Sequence, residues 1–598
     1  MIRLSLSLAA AVAVAAPLAA WAQTPTTPGG SLGPPPGGTI GEEEPKKQGV
    51  AEKAPKEQAQ LPTLPPLPPY PGQDRKKFEL VELDGYFRFR SNWFDNFNLG
   101  FVDQGNGAPF SHSLACRDTS TDPGIQPANA AGCGGSVSMT NLRARLEPTI
   151  NLSEYVSLHL QIDALDNVIL GSTPSGVFLD TGVGSSPTES MTTSQTSPQA
   201  DKNSPWDSIR VKRAWAEVKT PLGALRFGRM PSHWGMGIYS HSGGYDPIHD
   251  TYCLDCDDGD NVDRFIFGTT IPGTNIRAAV GYDWNATGPT AGQTSVWRSR
   301  DDGQPFDLDD TDDVTEYVVI LGRFDDPETW RATLREGRTG LNYGAQFFWR
   351  RQSWEVENVG GPLTDAVFVN RDANMYIPDV WVRLTAGKLS FEAEAVGVFG
   401  NINNIVDPLG PPMTFLELGA VARMSYLMLD DDLEISLEGG FASGDEWEDE
   451  NSGTLHIDEA NYLPRAAADT TISHFAFNRN YRVDLILWKE LYGAVTNALY
   501  IKPRVRYNIT ERFFFSAASI GSFAARSVAT PANQTMYGIE LDGEVGYANV
   551  NEGFFAGLYY GVLFPLAALD HPIDLFPNEL GQGASTAQTF QIRLALKF

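Results

Sequence analysis

Beyond residue 22 the chain has no run of about 18 apolar residues, so no helix of ordinary hydrophobicity crosses a bilayer. Basic residues are scarce. Lys and Arg number 45 against 74 Asp and Glu, and the formal charge of -29 argues against nucleic acid or an anionic surface as partner. There is no Gly-x-Ser-x-Gly stretch, and isolated Ser and His residues in polar segments make no triad, so a hydrolase has no visible nucleophile. Cysteine is limited to four residues.

What is present begins with an export signal. Arg3 supplies the positive charge, Leu4 to Ala16 the apolar stretch, and Ala20-Trp21-Ala22 a small-x-small cleavage box, so residues 1–22 read as a signal peptide. Gln23 stands where a lipid-anchored protein would have Cys. An exported chain without a spanning helix is either soluble or a β-barrel. Residues 23–77 contain GPPPGG, EEEPKK, EKAPKE and LPTLPPLPPYPG. Proline this dense favours extended polyproline II and nothing there builds a core, so the segment is expected to be a disordered periplasmic tether, a plain spacer in preference to an arm that reaches the cell wall or a partner protein. It is too short and too poor in apolar residues to be the folded plug of an energised importer.

Residues 78–598 alternate. Leu83, Gly85, Phe87 and Phe89 oppose Asp84, Tyr86, Arg88 and Arg90, and Leu142, Ala144 and Leu146 oppose Arg143, Arg145 and Glu147. Successive strand residues point to opposite faces, so each such segment has one apolar and one wet, charged face. The pattern returns in LEISLEGGF, YIKPRVRYNI, MYGIELDGEVGYA and the final FQIRLALKF. Short turns (NLSE, TPLG, IPGT, AGK, LDDD, NITE, VNEG) alternate with long polar loops near 95–137, 167–205, 230–261, 285–313 and 443–497. That rhythm, with 58 Gly and 32 Phe, 20 Tyr and 13 Trp, suits an all-β, transmembrane up-and-down antiparallel β-barrel with short periplasmic turns and long extracellular loops. Both ends on the periplasmic side demand an even strand count. The count is about 18 if residues 481–493 form a loop inside the lumen, with 16 as the alternative. A soluble sandwich also alternates, but its apolar faces must fill a core, and here they carry small residues such as Ala393, Ala395, Gly397, Ala420 and Ala422.

FQIRLALKF resembles the C-terminal assembly signal of bacterial outer-membrane proteins, with Phe590, Ile592, Leu594, Leu596 and Phe598 as its apolar residues. GRMPSHWGMG, residues 228–237, resembles the WG-type stretches of carbohydrate-selective and alginate-export porins. With HDTYCLDCDDGDNVDRF after it, the whole resembles an uncharacterised family of large outer-membrane proteins typical of myxobacteria. The resemblance implies a barrel in the outer membrane, meeting lipid, lipopolysaccharide and the outer-membrane assembly machinery, and no particular substrate.

Candidate sites follow from the wet faces and the loops. Arg88, Arg90, Arg143, Arg145, Lys502, Arg504, Arg506, Arg593 and Lys597 are expected to be pore-lining and basic. Glu392, Glu394, Glu417, Glu434, Glu438, Glu540, Asp542 and Glu544 are expected to be pore-lining and acidic. Closure should set Arg593 and Lys597 beside Arg88 and Arg90, with Arg143 and Arg145 next, opposite an acidic sector. Reversing Arg88, Arg90, Arg143 and Arg145 to Glu is then expected to preserve assembly, because these residues face water. In an oxidising compartment an even number of cysteines reads as disulfides, with Cys116–Cys133 and Cys253–Cys256 the favoured pairs. A metal reading exists because His233, His241 and His249 precede Cys253 and Cys256. Asp255, Asp257, Asp258, Asp260 and Asp263 around Gly259 offer oxygens to Ca²⁺ but lack EF-hand spacing, so solvated charge is the plainer reading. No other cofactor and no catalytic residue is expected. The function expected is a porin-like channel for passive passage of small hydrophilic solutes, against an outer-membrane hydrolase or a structural or adhesive barrel tethered by residues 23–77.

Overall fold

The computed structural model describes residues 79–101, 136–169, 209–246, 251–254, 256, 259–285, 314–357, 367–403, 412–445, 471–572 and 583–598. The signal and tether segments, Cys116, Cys133, His249, Asp255, Asp257 and Asp258 lie outside these residues. Eighteen wall strands follow in chain order. They are β1 Val81–Asp95, β2 Ser136–Asn151, β3 Val156–Ile169, β4 Ile209–Thr220, β5 Gly223–Pro231 and β6 Asn261–Thr270. Next come β7 Ile276–Asn285, β8 Val314–Arg323, β9 Gly340–Glu357, β10 Val367–Ala386, β11 Leu389–Ile402 and β12 Met413–Met428. The last are β13 Leu433–Ala442, β14 Ala498–Asn508, β15 Phe513–Ala524, β16 Met536–Asn549, β17 Phe554–Pro565 and β18 Ala587–Lys597. Each pairs antiparallel with its sequence neighbour, and β18 closes on β1, with Phe89 opposite Leu594 and Arg90 opposite Arg593. The closed, up-and-down, 18-strand barrel expected from the alternation is therefore what forms. Among the described residues no helix is long and apolar enough to cross a membrane.

The outward face is apolar and uncovered. Leu416, Ile501, Leu541 and Leu558 are 44–50% exposed, an arrangement a soluble sandwich would bury. Cross-strand register lines up Phe265, Tyr282, Tyr317, Trp349, Tyr376 and Phe399 as one outward row. The next row toward the long loops is polar at Thr315, Arg351, Asn374, Asn401 and Thr414. Near the short turns stand Tyr426, Tyr507, Phe513, Phe515 and Tyr547. Two aromatic girdles around an aliphatic band match the interfaces of a bilayer.

One short connection holds a helix that alternation did not reveal, α1 Pro327–Arg335. Asp326 caps it, accepting from the Thr329 N–H at 2.9 Å, and Pro327 occupies the first turn, where its missing N–H costs nothing.

Candidate functional site

The lumen behind the inward face is partly filled. Two long connections fold into the lumen, and the wall charges hold them. The first spans residues 232–260, between β5 and β6. Arg88 Nη1 donates to the Leu254 carbonyl at 2.7 Å, Arg143 Nη1 to that of Cys256 at 3.1 Å, and Arg145 Nη1 to that of Gly243 at 3.3 Å. Cys253 and Cys256 are joined by a disulfide, which closes the turn that presents the Leu254 and Cys256 carbonyls. Arg145 also grips Asp163 through two bonds of 2.7 and 2.8 Å.

From the acidic side, Glu394 accepts from the N–H groups of Met236, Gly237 (2.9 Å) and Ile238 (3.2 Å). Gly235 and Gly237 have φ of +55° and +88°, and a Cβ on Gly235 would stand 2.5 Å from the Glu394 carboxylate. The WG stretch is therefore a carboxylate nest, which needs glycine for conformation and for space.

The second connection enters over residues 471–497. Glu540 accepts from the N–H groups of Leu485, Ile486 and Leu487 at 3.0, 2.8 and 3.0 Å. Asp484 caps the following π-helical turn Leu487–Leu491 by accepting from Trp488 and Lys489. Phe475, Phe477, Tyr481, Leu485, Ile486, Trp488 and Leu491 form an apolar core inside the barrel, so segment 481–493 lies off the wall, in the lumen, as the strand parity required. The two connections clasp each other. The Asn478 N–H donates to the Ile238 carbonyl at 2.7 Å, and Asn478 Nδ2 to Asp260 Oδ2 at 2.6 Å.

These contacts change the expected pore lining. Arg593 and Arg90 do stand side by side, as do Arg88 and Arg143. Yet Arg88, Arg90, Arg143, Arg145, Arg593, Glu394, Glu438 and Glu540 are all buried. Arg88 and Arg143 donate to loop carbonyls, Arg145 to a loop carbonyl and to Asp163, and Glu394 and Glu540 accept from loop N–H groups. Glu438 is instead held by Arg423 at 2.6 Å and the Tyr500 hydroxyl at 2.8 Å. Glu392, Glu417, Glu434, Lys502, Arg504, Arg506, Asp542, Glu544 and Lys597 face inward and are half-buried. Closest to the short turns, Glu434 opposes Arg506, which opposes Ser516, which opposes Glu544.

Of the acidic loop, Asp260 and Asp263 are among the described residues, and they point apart. Asp260 points into the lumen clasp, whereas Asp263 sits on the outer face in an ion pair with Arg229 at 2.6 Å. Cys253 and Cys256, being bonded to each other, offer no thiolate to a metal. His241 Nδ1 accepts from the Gly243 N–H at 3.0 Å. Among the described residues no three His, Cys, Asp or Glu side chains converge on a point. Ser157 Oγ lies 2.9 Å from His159 Nε2, but Thr149 rather than a carboxylate meets the other ring nitrogen.

No family model and no curated protein matches the chain. Solved structures similar to it include OccK11 (OpdR) of Pseudomonas aeruginosa, 8% identical with a TM-score of 0.40 over 86% of this chain and 96% of that one. OccAB2 of Acinetobacter baumannii is 8% identical with a TM-score of 0.40, over 86% and 98%. A BenF-like porin from Pseudomonas fluorescens Pf-5 is 8% identical with a TM-score of 0.39, over 86% and 99%.

The clasp carries a pH prediction. Burial pushes the Asp260 carboxyl above its ordinary value, against the hydrogen bonds from the His241 N–H and Asn478 and the nearby Arg213 charge. An acid whose pKa is raised by the clasped arrangement favours that arrangement most when protonated. The clasp is thus strongest below the ordinary carboxylate range and loosens as pH rises through the raised value. Open probability should rise with pH, and Asp260→Asn should flatten that rise in single-channel records. An unaltered pH profile in Asp260→Asn would refute the assignment.

Proposed function

We propose that this chain is an outer-membrane channel for passive passage of small hydrophilic solutes, with its bore narrowed by the two inward connections. The observation that supports the reading most is the half-buried polar row near the short turns. Glu434, Arg506 and Glu544 remain inward on a barrel whose outward face is apolar. Such a wall separates lipid from water, and its inward row carries charges of both signs. Charges facing water between low-dielectric walls focus the field and set ion preference. The resemblance to large outer-membrane proteins of the myxobacterial type agrees with this reading and adds no solute.

The test is conductance in planar bilayers. Glu434→Gln with Glu544→Gln should move the reversal potential in a salt gradient toward anions, and Arg504→Gln with Arg506→Gln toward cations. A folded barrel that passes neither ions nor sugars would defeat the channel reading and leave a structural barrel.

A further inference from the structure

Three adjacent strands bring two buried carboxylates together beneath the first inward connection. Gln346 on β9 stands directly opposite Asp379 on β10, and Trp381, two residues further on, stands opposite Glu394 on β11. All face the lumen side and are enclosed: Asp379 is 0% exposed, and Gln346 and Glu394 are each 2%. Both carboxylate oxygens of Asp379 and the Oε1 of Gln346 have no hydrogen-bond partner among the described residues. The Trp234 indole N–H is directed at Asp379 but falls short of hydrogen-bond geometry, and the Glu394 carboxyl lies alongside.

The neighbouring cations are already committed. Arg383 pairs with Glu392 at 2.7 Å and Arg350 with Glu316 at 2.8 Å. Two carboxylates thus lie buried together with no cationic side chain paired to either; Glu394 has its three backbone donors, but Asp379 has none, an arrangement that proteins do not leave uncompensated.

We propose that Asp379, Glu394 and Gln346 bind a hard divalent cation of the Ca²⁺ class. One divalent ion neutralises both carboxylates, the amide oxygen of Gln346 supplies a third ligand, and waters complete a shell of about six to eight oxygens. Because Glu394 also receives the N–H groups of residues 236–238, the ion fixes the carboxylate that holds this connection in place. This site is distinct from the acidic stretch around Gly259.

Terbium is the probe, since it replaces Ca²⁺ and emits when a nearby indole is excited. Trp234 and Trp381 flank the site. The whole protein in detergent should show indole-sensitised Tb³⁺ emission that Ca²⁺ displaces. Asp379→Asn should weaken the apparent affinity about ten-fold or more, as expected for loss of one charged ligand. Gln346→Leu, which removes a ligand without changing charge, should weaken it less, and Asp263→Asn, on the outer face in the acidic stretch, should leave it unchanged. Heat-modifiable mobility on gels verifies that each variant is folded. Emission that is absent from the folded wild type, or equal in Asp379→Asn, would overturn the proposal and assign the two carboxyls a shared proton instead.

Discussion

Deleting residues 474–495 and joining Ser473 to Thr496 through a short Gly-Ser linker should raise single-channel conductance about two-fold or more, because a barrel of 18 strands is wide enough for a water-filled channel once its interior is cleared. The deleted segment contains Phe475, Phe477, Leu485, Trp488 and Leu491, the apolar mass inside the wall, but no wall strand. The barrel hydrogen bonds from β13 to β14 run directly between Leu433–Ala442 and Ala498–Tyr507 and survive the deletion. Glu540 loses the three N–H groups it holds but gains water. Planar-bilayer recordings supply the measurement, with heat-modifiable mobility as the check on folding. Unchanged conductance in the folded variant would show that permeation runs outside the space this segment fills.

Arg145→Ala should be the most destabilising single substitution in the lumen, by about 3–5 kcal/mol, the usual cost of leaving one partner of a buried ion pair uncompensated. Asp163 is fully enclosed, and Arg145 meets both its oxygens at 2.7 and 2.8 Å. The same guanidinium donates to the Gly243 carbonyl, so the first inward connection is loosened as well. Unfolding midpoints in denaturant, compared with those of Arg504→Ala, give the difference. Near-equal midpoints would show that Asp163 finds other compensation. For the same reason, reversing Arg88, Arg90, Arg143 and Arg145 to Glu cannot leave assembly untouched. The charge reversals would set carboxylates against the carbonyls of Gly243, Leu254 and Cys256, where donors are required.

The wall was legible because its cause is local. A period of two, broken by turn residues such as those of NLSE and VNEG, places every strand, and the parity of turns and loops places segment 481–493 off the wall. Helix α1 was also within reach, since Asp326-Pro327-Glu328 combines a cap, a first-turn proline and an early acid. What alternation could not report is the partner of each inward charge. Arg88 and Arg506 have the same pattern on their strands, yet one donates to a loop carbonyl and the other stacks over Phe514 at 3.8 Å. That difference depends on the paths of connections whose irregular backbone has no periodicity to read. The WG stretch shows the limit well. Its glycines signal an unusual backbone, but Glu394 lies more than 150 residues away.

The seam between β1 and β18 has a kinetic consequence. It joins Tyr86 to Lys597 and Asp95 to Gln588, the most distant strands in the chain, so closing it brings together residues separated by nearly the full length of the barrel sequence. Pairing at such separation is slow, since the entropy of closing the loop is lost before any contact rewards it. Here there is a further demand. The first inward connection lies against β1 and β2 on one side and β11 on the other, and the second lies against β14, β15, β16 and β18. Docking and closure are therefore coupled: the arginines of β1 and β2 and the Glu394 carboxylate of β11 reach the first connection together only when the cylinder stands around it.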